Sequence, residues 1–440
     1  MLIHTFEIVI TLQFHTLISK RLQIMHLLIV LSILLPSVAY AYIYQQQNQT
    51  VSQTILKRHQ PATIATSSVA TATRLETQRA IWRNPRGLEY YYAIVQDGTN
   101  GLRLYKSSGG STWSRVSTLS TDTTMSSSVY PYDDGTQLIV YVTYSDGGAW
   151  SSNRPVYYRR LLIQDNASDP IIGAEQNTGK GGVHAVIARD RNGFIHIVMW
   201  GDGTNRDRIT IFGTTTTNPG DAPSWSNTQS AISHSGSSAV DDSAQIVVFD
   251  SGNLLGIIAN RRSARPNNID GIDVASFNGA TYTMGTDTLI DTGSTSSGYR
   301  PFNAVVDSNG IVHLAVHNAR TGSVGLRYFK ASASNTVQSW NAAETVDSTA
   351  PESVAMSIDK TTTPNKLYLF YAKGSTSLIY WRNRAVNAST WSAESNFDDG
   401  QGAALDWIQV SNVLTAGTIP VMYTKQTSPY TARFNAFIPP

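Results

Sequence analysis

From about residue 77 to the C-terminus, short apolar runs alternate with turn residues in a unit that recurs seven times. Each unit carries a Gly or polar turn, an alternating apolar run, and a second short run that opens on an aliphatic residue. The second runs are Leu102-Arg103-Leu104-Tyr105, Val156-Tyr157-Tyr158, Ile209-Thr210-Ile211-Phe212, Ile272-Asp273-Val274, Leu326-Arg327-Tyr328-Phe329, Leu378-Ile379-Tyr380-Trp381 and Ala432-Arg433-Phe434. Their first residues lie 54, 53, 63, 54, 52 and 54 apart, an average of 55. The preceding halves include Gly193-Phe194-Ile195-His196, Gly310-Ile311-Val312-His313 and Asn365-Lys366-Leu367-Tyr368. Gly or Asn at that point suits a hairpin turn with positive φ. Period-two alternation predicts strands, and no segment beyond the N-terminal region keeps a helical period. A repeat of this length filled with short strands predicts an all-β propeller, with seven four-stranded blades expected and six as the alternative.

Four units place a tryptophan shortly after the second run: Trp113, Trp225, Trp340 and Trp391. A strand starting at each would complete a blade and pack its indole between neighbouring sheets. The seventh unit has strand patterns only near Trp407–Ser411, Ile419–Tyr423 and Ala432–Phe437. The β-prone stretch Thr63–Leu75, ahead of the first unit, is therefore expected to supply its outer strand and remove an exposed edge.

Residues 1–41 read as a targeting segment, 42–62 as a flexible linker rich in Gln, Thr, Ser and Ala, and 63–440 as the propeller. Lys20 and Arg21 precede an apolar run from Leu27 to Leu35, followed by Ala39-Tyr40-Ala41. That order fits a secretory signal cleaved after Ala41. The alternative is an uncleaved membrane anchor over Met25–Ile43. Both place the propeller at the cell surface or outside the cell.

Charged residues make up 15% of the chain, so the surface is polar through hydroxyls more than through charge. A net charge of +2 over 440 residues argues against a nucleic-acid groove or a basic membrane patch. The absence of cysteine excludes disulfides, thiolate metal sites and cysteine nucleophiles. In Asp202-Gly203-Thr204-Asn205-Arg206-Asp207 an arginine stands where calcium would need oxygen. Neither a metal nor a cofactor is expected.

The segment Ser107–Trp113 resembles the Asp-box of sialidase-like, BNR-repeat propellers, whose pattern is roughly Ser-x-Asp-x-Gly-x-Thr-Trp. Gly110, Thr112 and Trp113 match, whereas Ser108 replaces the Asp and Lys106 the leading Ser. The segments ending at Trp340 and Trp391 keep the Trp and the aromatic strand before it. The resemblance covers about residues 77–440. It implies the fold alone, because in that family the box is a folding element on a blade's outer turn. The family's arginine triad, Tyr/Glu pair and opening Phe-Arg-Ile-Pro motif are not recovered. Tyr299-Arg300-Pro301-Phe302 sets Arg beside Pro, but in the fifth unit and in another order. No catalytic residue is assigned.

Propellers bind ligands where their inner strands converge. Residues at the starts of the predicted inner strands are His184, Asp242, Tyr299, Arg300, Glu352, Asp406 and Trp407. If they meet, Arg300 would hold an acidic group through paired hydrogen bonds and Trp407 would stack on a sugar face. His196, His313 and His317 read as strand packing residues. Abundant Tyr and Trp with little charge favour a secreted or cell-surface glycan-binding propeller whose partner is a glycan or polysaccharide. The alternatives are a carbohydrate-active enzyme, either a sialidase-like glycoside hydrolase or a polysaccharide lyase, and a structural or protein-interaction module of an extracellular assembly. Enzymatic activity and oligomeric state are left open.

Overall fold

The structure is a computed structural model. It describes residues 61–440 apart from 74–76, 87–88, 124, 147–153, 165–167, 203–206, 234–242, 263–266, 293–299, 321–322, 350, 374–377, 399–402 and 416. The chain divides into Met1–Arg58 and His59–Pro440, and the second unit is the propeller. The expected signal or anchor lies outside the described residues.

Within each blade the strands are antiparallel and follow sequence order from the channel outward; one parallel bridge, Val183 to Asp146, links blade three to blade two. Blade one runs Ile81–Arg83, Tyr90–Gln96, Leu102–Ser108 and Thr112–Ser120. The inner strands of blades two to seven are Met125–Asp133, Val183–Arg189, Ser243–Val248, Phe302–Val306, Pro351–Asp359 and Leu405–Val410. Six blades take all their strands from one stretch of chain. In the seventh, Ala62–Ser67 pairs with Tyr430–Phe437 and becomes the outer strand. The ring is thus sealed by hydrogen bonds between the two ends of the propeller, and there are seven blades, not six. The closing strand is shorter than expected. It stops at Ser67, and Thr73 is already beside blade seven, its Oγ1 donating to the Trp407 carbonyl at 2.8 Å.

Apolar alternation puts one set of side chains from each sheet against the next blade. The four repeat tryptophans lie in these seams. Trp113 meets Phe434 of blade seven at 5.0 Å, Trp225 meets Tyr158 of blade two at 5.4 Å, and Trp391 meets Tyr328 of blade five at 5.3 Å, all edge-on. Each such pair adds roughly 0.5–1.5 kcal/mol beyond area burial. Only Trp113 lies within a strand. Trp225 and Trp340 make single bridges a few residues before the outer strands Gln229–Ser233 and Glu344–Asp347, and Trp391 precedes Ser395–Asp398. Tryptophan therefore marks the seam more faithfully than the strand start.

Two blades share a turn written as Asp-x-Asn-Gly. Asp190 Oδ1 accepts the amides of Asn192 and Phe194, and Asp307 Oδ1 those of Asn309 and Ile311. The other carboxylate oxygen faces a histidine six residues on, His196 at 3.0 Å and His313 at 3.4 Å. Each ring's second nitrogen reaches a tyrosine hydroxyl, Tyr282 and Tyr328 respectively. Both histidines are wholly buried, more deeply than a half-buried strand residue. These are turn-to-sheet staples. Burial is the main force on His313, and it holds the imidazole below its ordinary pKa.

Candidate functional site

The residues expected at the strand starts part company in the structure. Asp242 and Tyr299 lie outside the described residues. Glu352 is exposed. Asp406 is half-buried and its Oδ1 accepts the amide of Trp407 at 2.7 Å. Trp407 is half-buried, whereas His184 is buried with its ring 6.0 Å from Trp200. His184 and Trp407 have φ of 54° and 56°, and the ladder shifts by one residue around each, between Val183 and Val186 and between Asp406 and Gln409. These are bulges, which re-aim a side chain where a strand begins.

Arg300 corrects the expectation most sharply. It is fully buried, its Nη2 bonds Asp291 on the outer strand of blade four, and its Nε donates to the His317 carbonyl at 2.9 Å. Arg327 holds the other oxygen of Asp291 at 2.9 Å. The guanidinium is thus engaged in the seam between blades four and five and has no exposed surface to offer a ligand. The arrangement recurs: Asp347 meets Lys373 and Arg382 at 3.1 and 3.5 Å in the next seam, and Asp398 meets Arg433 at 3.9 Å in the one after. An outer-strand Asp of one blade and a cation of the next form an inter-blade pair, and Arg300 belongs to that series.

The inner strands are themselves tied by polar side chains that reach a neighbour's backbone. Gln245 accepts from the Ala304 amide at 2.8 Å and donates to its carbonyl at 2.7 Å. Asn303 Oδ1 accepts the Met356 amide at 3.1 Å, Ser353 Oγ accepts the Ile408 amide at 2.8 Å, and Gln409 Oε1 accepts the Ala80 amide at 2.6 Å. Edges that a sheet would leave unpaired along the channel are satisfied in this way.

Across this ring lies Arg79, a residue absent from the sequence-based set. Its φ is 53°, matching His184 and Trp407. From blade one it spans to blades five and six, where Nη2 donates to Asn303 Oδ1 and to the Ala304 carbonyl, both at 2.6 Å, and Nη1 to the Met356 carbonyl at 3.3 Å. All three acceptors are neutral. Burial pushes the guanidinium down to about 9, which still leaves it charged at neutral pH. The rule that selected His184 and Asp406, a polar residue where an inner strand begins, yields Gln78 and Arg79 when applied to the first unit.

Arg79 borders a cavity of about 390 Å³ on the propeller axis, lined by residues of all seven blades. Blade one contributes from Thr77 and Arg79 onward, and the other blades contribute from the middle and later parts of their inner strands and the turns after them: Tyr130, Pro131 and Asp133 in blade two, Ile246, Val248 and Asp250 in blade four, Lys360 and Asn412 beyond the strands of blades six and seven. The cavity therefore opens on the face opposite the strand starts. Pro131, Asp133, Asp250 and Lys360 are exposed at its rim, and Arg86 holds Asp133 at 2.9 Å, which keeps that carboxyl below the usual range. The Tyr130 phenol, pushed up to about 12 by burial, remains a donor at neutral pH. A second hollow, about 440 Å³ and more open, runs between blades four and five. Trp340, Arg327, Gln338 and Asn341 border it, and the indole is pinned by a 2.8 Å bond from Nε1 to the Val337 carbonyl. Leu289, 51% exposed, stands on its other side. Among the described residues no group of three His, Asp or Glu side chains is placed to hold a metal.

No protein-family profile matches the chain, and no curated protein matches it. Solved structures do. The polysaccharide lyase Uly1 superposes with a TM-score of 0.51 at 11% identity, covering 86% of this chain and 97% of that one. The BP39L lectin from Burkholderia pseudomallei superposes with a TM-score of 0.50 at 13% identity, covering 83% and 96%. At such identities the likeness is one of fold, and it extends over most of this chain and nearly the whole of either neighbour.

Proposed function

We propose that this chain is a secreted or cell-surface glycan-binding propeller. The observation that carries the reading is the open groove between blades four and five. Saccharides are recognised by an aromatic face that covers the C–H side of the ring and by fixed donors and acceptors for the hydroxyls. Trp340 supplies the first with its orientation locked, and Arg327, Gln338 and Asn341 supply the second. The fold shared with a lectin and a polysaccharide lyase agrees with a carbohydrate partner. The turn at Ser107–Trp113 supports kinship with Asp-box propellers: Trp113 Nε1 donates to the Gly110 carbonyl at 3.2 Å, and Gly110, with φ of 80°, lies against the Phe434 ring. Export follows from the N-terminal segment, and N-terminal sequencing of the secreted protein tests it.

The decisive experiment is a glycan array with the purified chain, run beside a hydrolase and lyase panel. Binding that falls at least tenfold in Trp340→Ala supports the groove. Binding that survives Trp340→Ala unchanged removes the groove from the reading, and a wild-type protein that binds no glycan removes the reading itself. Turnover in the panel would move the protein to the carbohydrate-active enzymes.

A further inference from the structure

We infer that the axial cavity is an oxyanion site, in which Arg79 receives the carboxylate or sulfate of a monoanionic ligand of about monosaccharide size. The inference goes beyond the groove and does not depend on it, since the two hollows share no lining residue.

Two observations converge. Arg79 is enclosed by three blades, borders the cavity, and has only neutral oxygens as partners, with no carboxylate of the described residues near enough to pair it. Arg79 is half-buried, and a partly desolvated cation without a counter-charge is costly, so an anion entering the cavity would supply the missing charge in a place where screening is weaker than in open water. Arg300 shows what this fold does with a buried guanidinium that serves structure alone: it provides an Asp. Next, the volume of about 390 Å³ lies within the range of small-molecule sites, and Ile246, Val248 and Tyr130 give the guest's body apolar and aromatic walls. Arg83 also lines the cavity but is held near Glu89 at 3.8 Å, which leaves Arg79 as the enclosed lining cation without a carboxylate and one negative charge as its complement. The exposed rim carries Lys360 together with Asp250 and the Arg86-paired Asp133, so selection for an anion rests on Arg79 and not on the mouth.

The test is calorimetric titration of the full chain in low salt with glucuronate, glucose 6-sulfate and glucose. At least one of the two anionic sugars should bind one to one and at least tenfold more tightly than glucose, with affinity falling as salt rises. Which anion binds distinguishes a carboxylate from a sulfate guest. Arg79→Gln should lower that affinity at least tenfold. Ile246→Trp should do the same by filling the cavity while leaving the contacts of Arg79 in place, and it decides the matter if Arg79→Gln does not fold. Failure of both anions to bind at millimolar concentration, equal binding of glucose, or anion binding that persists in Ile246→Trp would each overturn the inference. An empty glycan array beside a positive titration would instead remove the groove and leave this site standing.

Discussion

Arg79 and Arg300 hold comparable places, each just ahead of an inner strand and each enclosed by neighbouring blades, but they are neutralised in different ways. Arg300 shares Asp291 with Arg327 in a seam whose pattern of outer-strand Asp and next-blade cation recurs twice more around the ring. Arg79 lies across the channel and binds backbone carbonyls and one amide oxygen. The first arrangement closes on itself. The second leaves a positive charge facing a cavity. Proximity to the channel in sequence therefore does not distinguish a structural cation from one available to a ligand; the partner does.

The largest effect expected from this comparison is on stability. Arg300→Met leaves Asp291 buried with Arg327 alone, and breaking a buried pair by removing one partner costs about 3–5 kcal/mol. Urea unfolding measures it. A loss below about 1 kcal/mol would mean that Arg327 and solvent compensate, and that the seam clusters are not the inter-blade ties described above.

The fold was legible because its signals are local. Period-two runs, turn glycines and seam tryptophans repeat at nearly constant spacing, and even the closing strand announced itself as a β-prone stretch beside a blade one strand short. The site was not legible in the same way. The inner strand of blade one, Ile81–Arg83, is three residues long and too short to show alternation, so Arg79 had no run to mark it. The direction of Arg79, His184 and Trp407 is set by positive φ, which non-glycine residues adopt rarely and which no periodicity reveals. Arg300 was visible, but its partner was not. Asp291 is nine residues away in sequence and on a different blade, joined to it by a segment outside the described residues.

A smaller effect on stability is expected at Arg79. Arg79→Gln gives up hydrogen bonds to neutral oxygens but also relieves a partly desolvated charge, so the net loss should be about 1 kcal/mol. Urea unfolding of the two variants side by side sharpens the contrast. If Arg79→Gln proves more damaging than Arg300→Met, the distinction between a closed and an open cation fails, and Arg79 is a structural strut.

The finest test uses His317, whose carbonyl accepts from Arg300. Burial, and after it the charge of Arg300, hold the His317 imidazole down to about 4. Above pH 6.5 the ring is neutral in folded and unfolded chains and contributes nothing. Between about 6.5 and 4 the unfolded chain takes up a proton that the native state refuses, so stability is lost as pH falls through that window. Comparing wild type with His317→Gln at pH 7 and pH 4.5 isolates this contribution from other titrating groups, and the variant should lose less stability on acidification. In Arg300→Met the weaker of the two causes is gone, so an NMR titration should find the His317 pKa raised but still below 6.5. A pKa unchanged by the substitution would show that burial alone sets it, and that the charge of Arg300 is fully absorbed by Asp291.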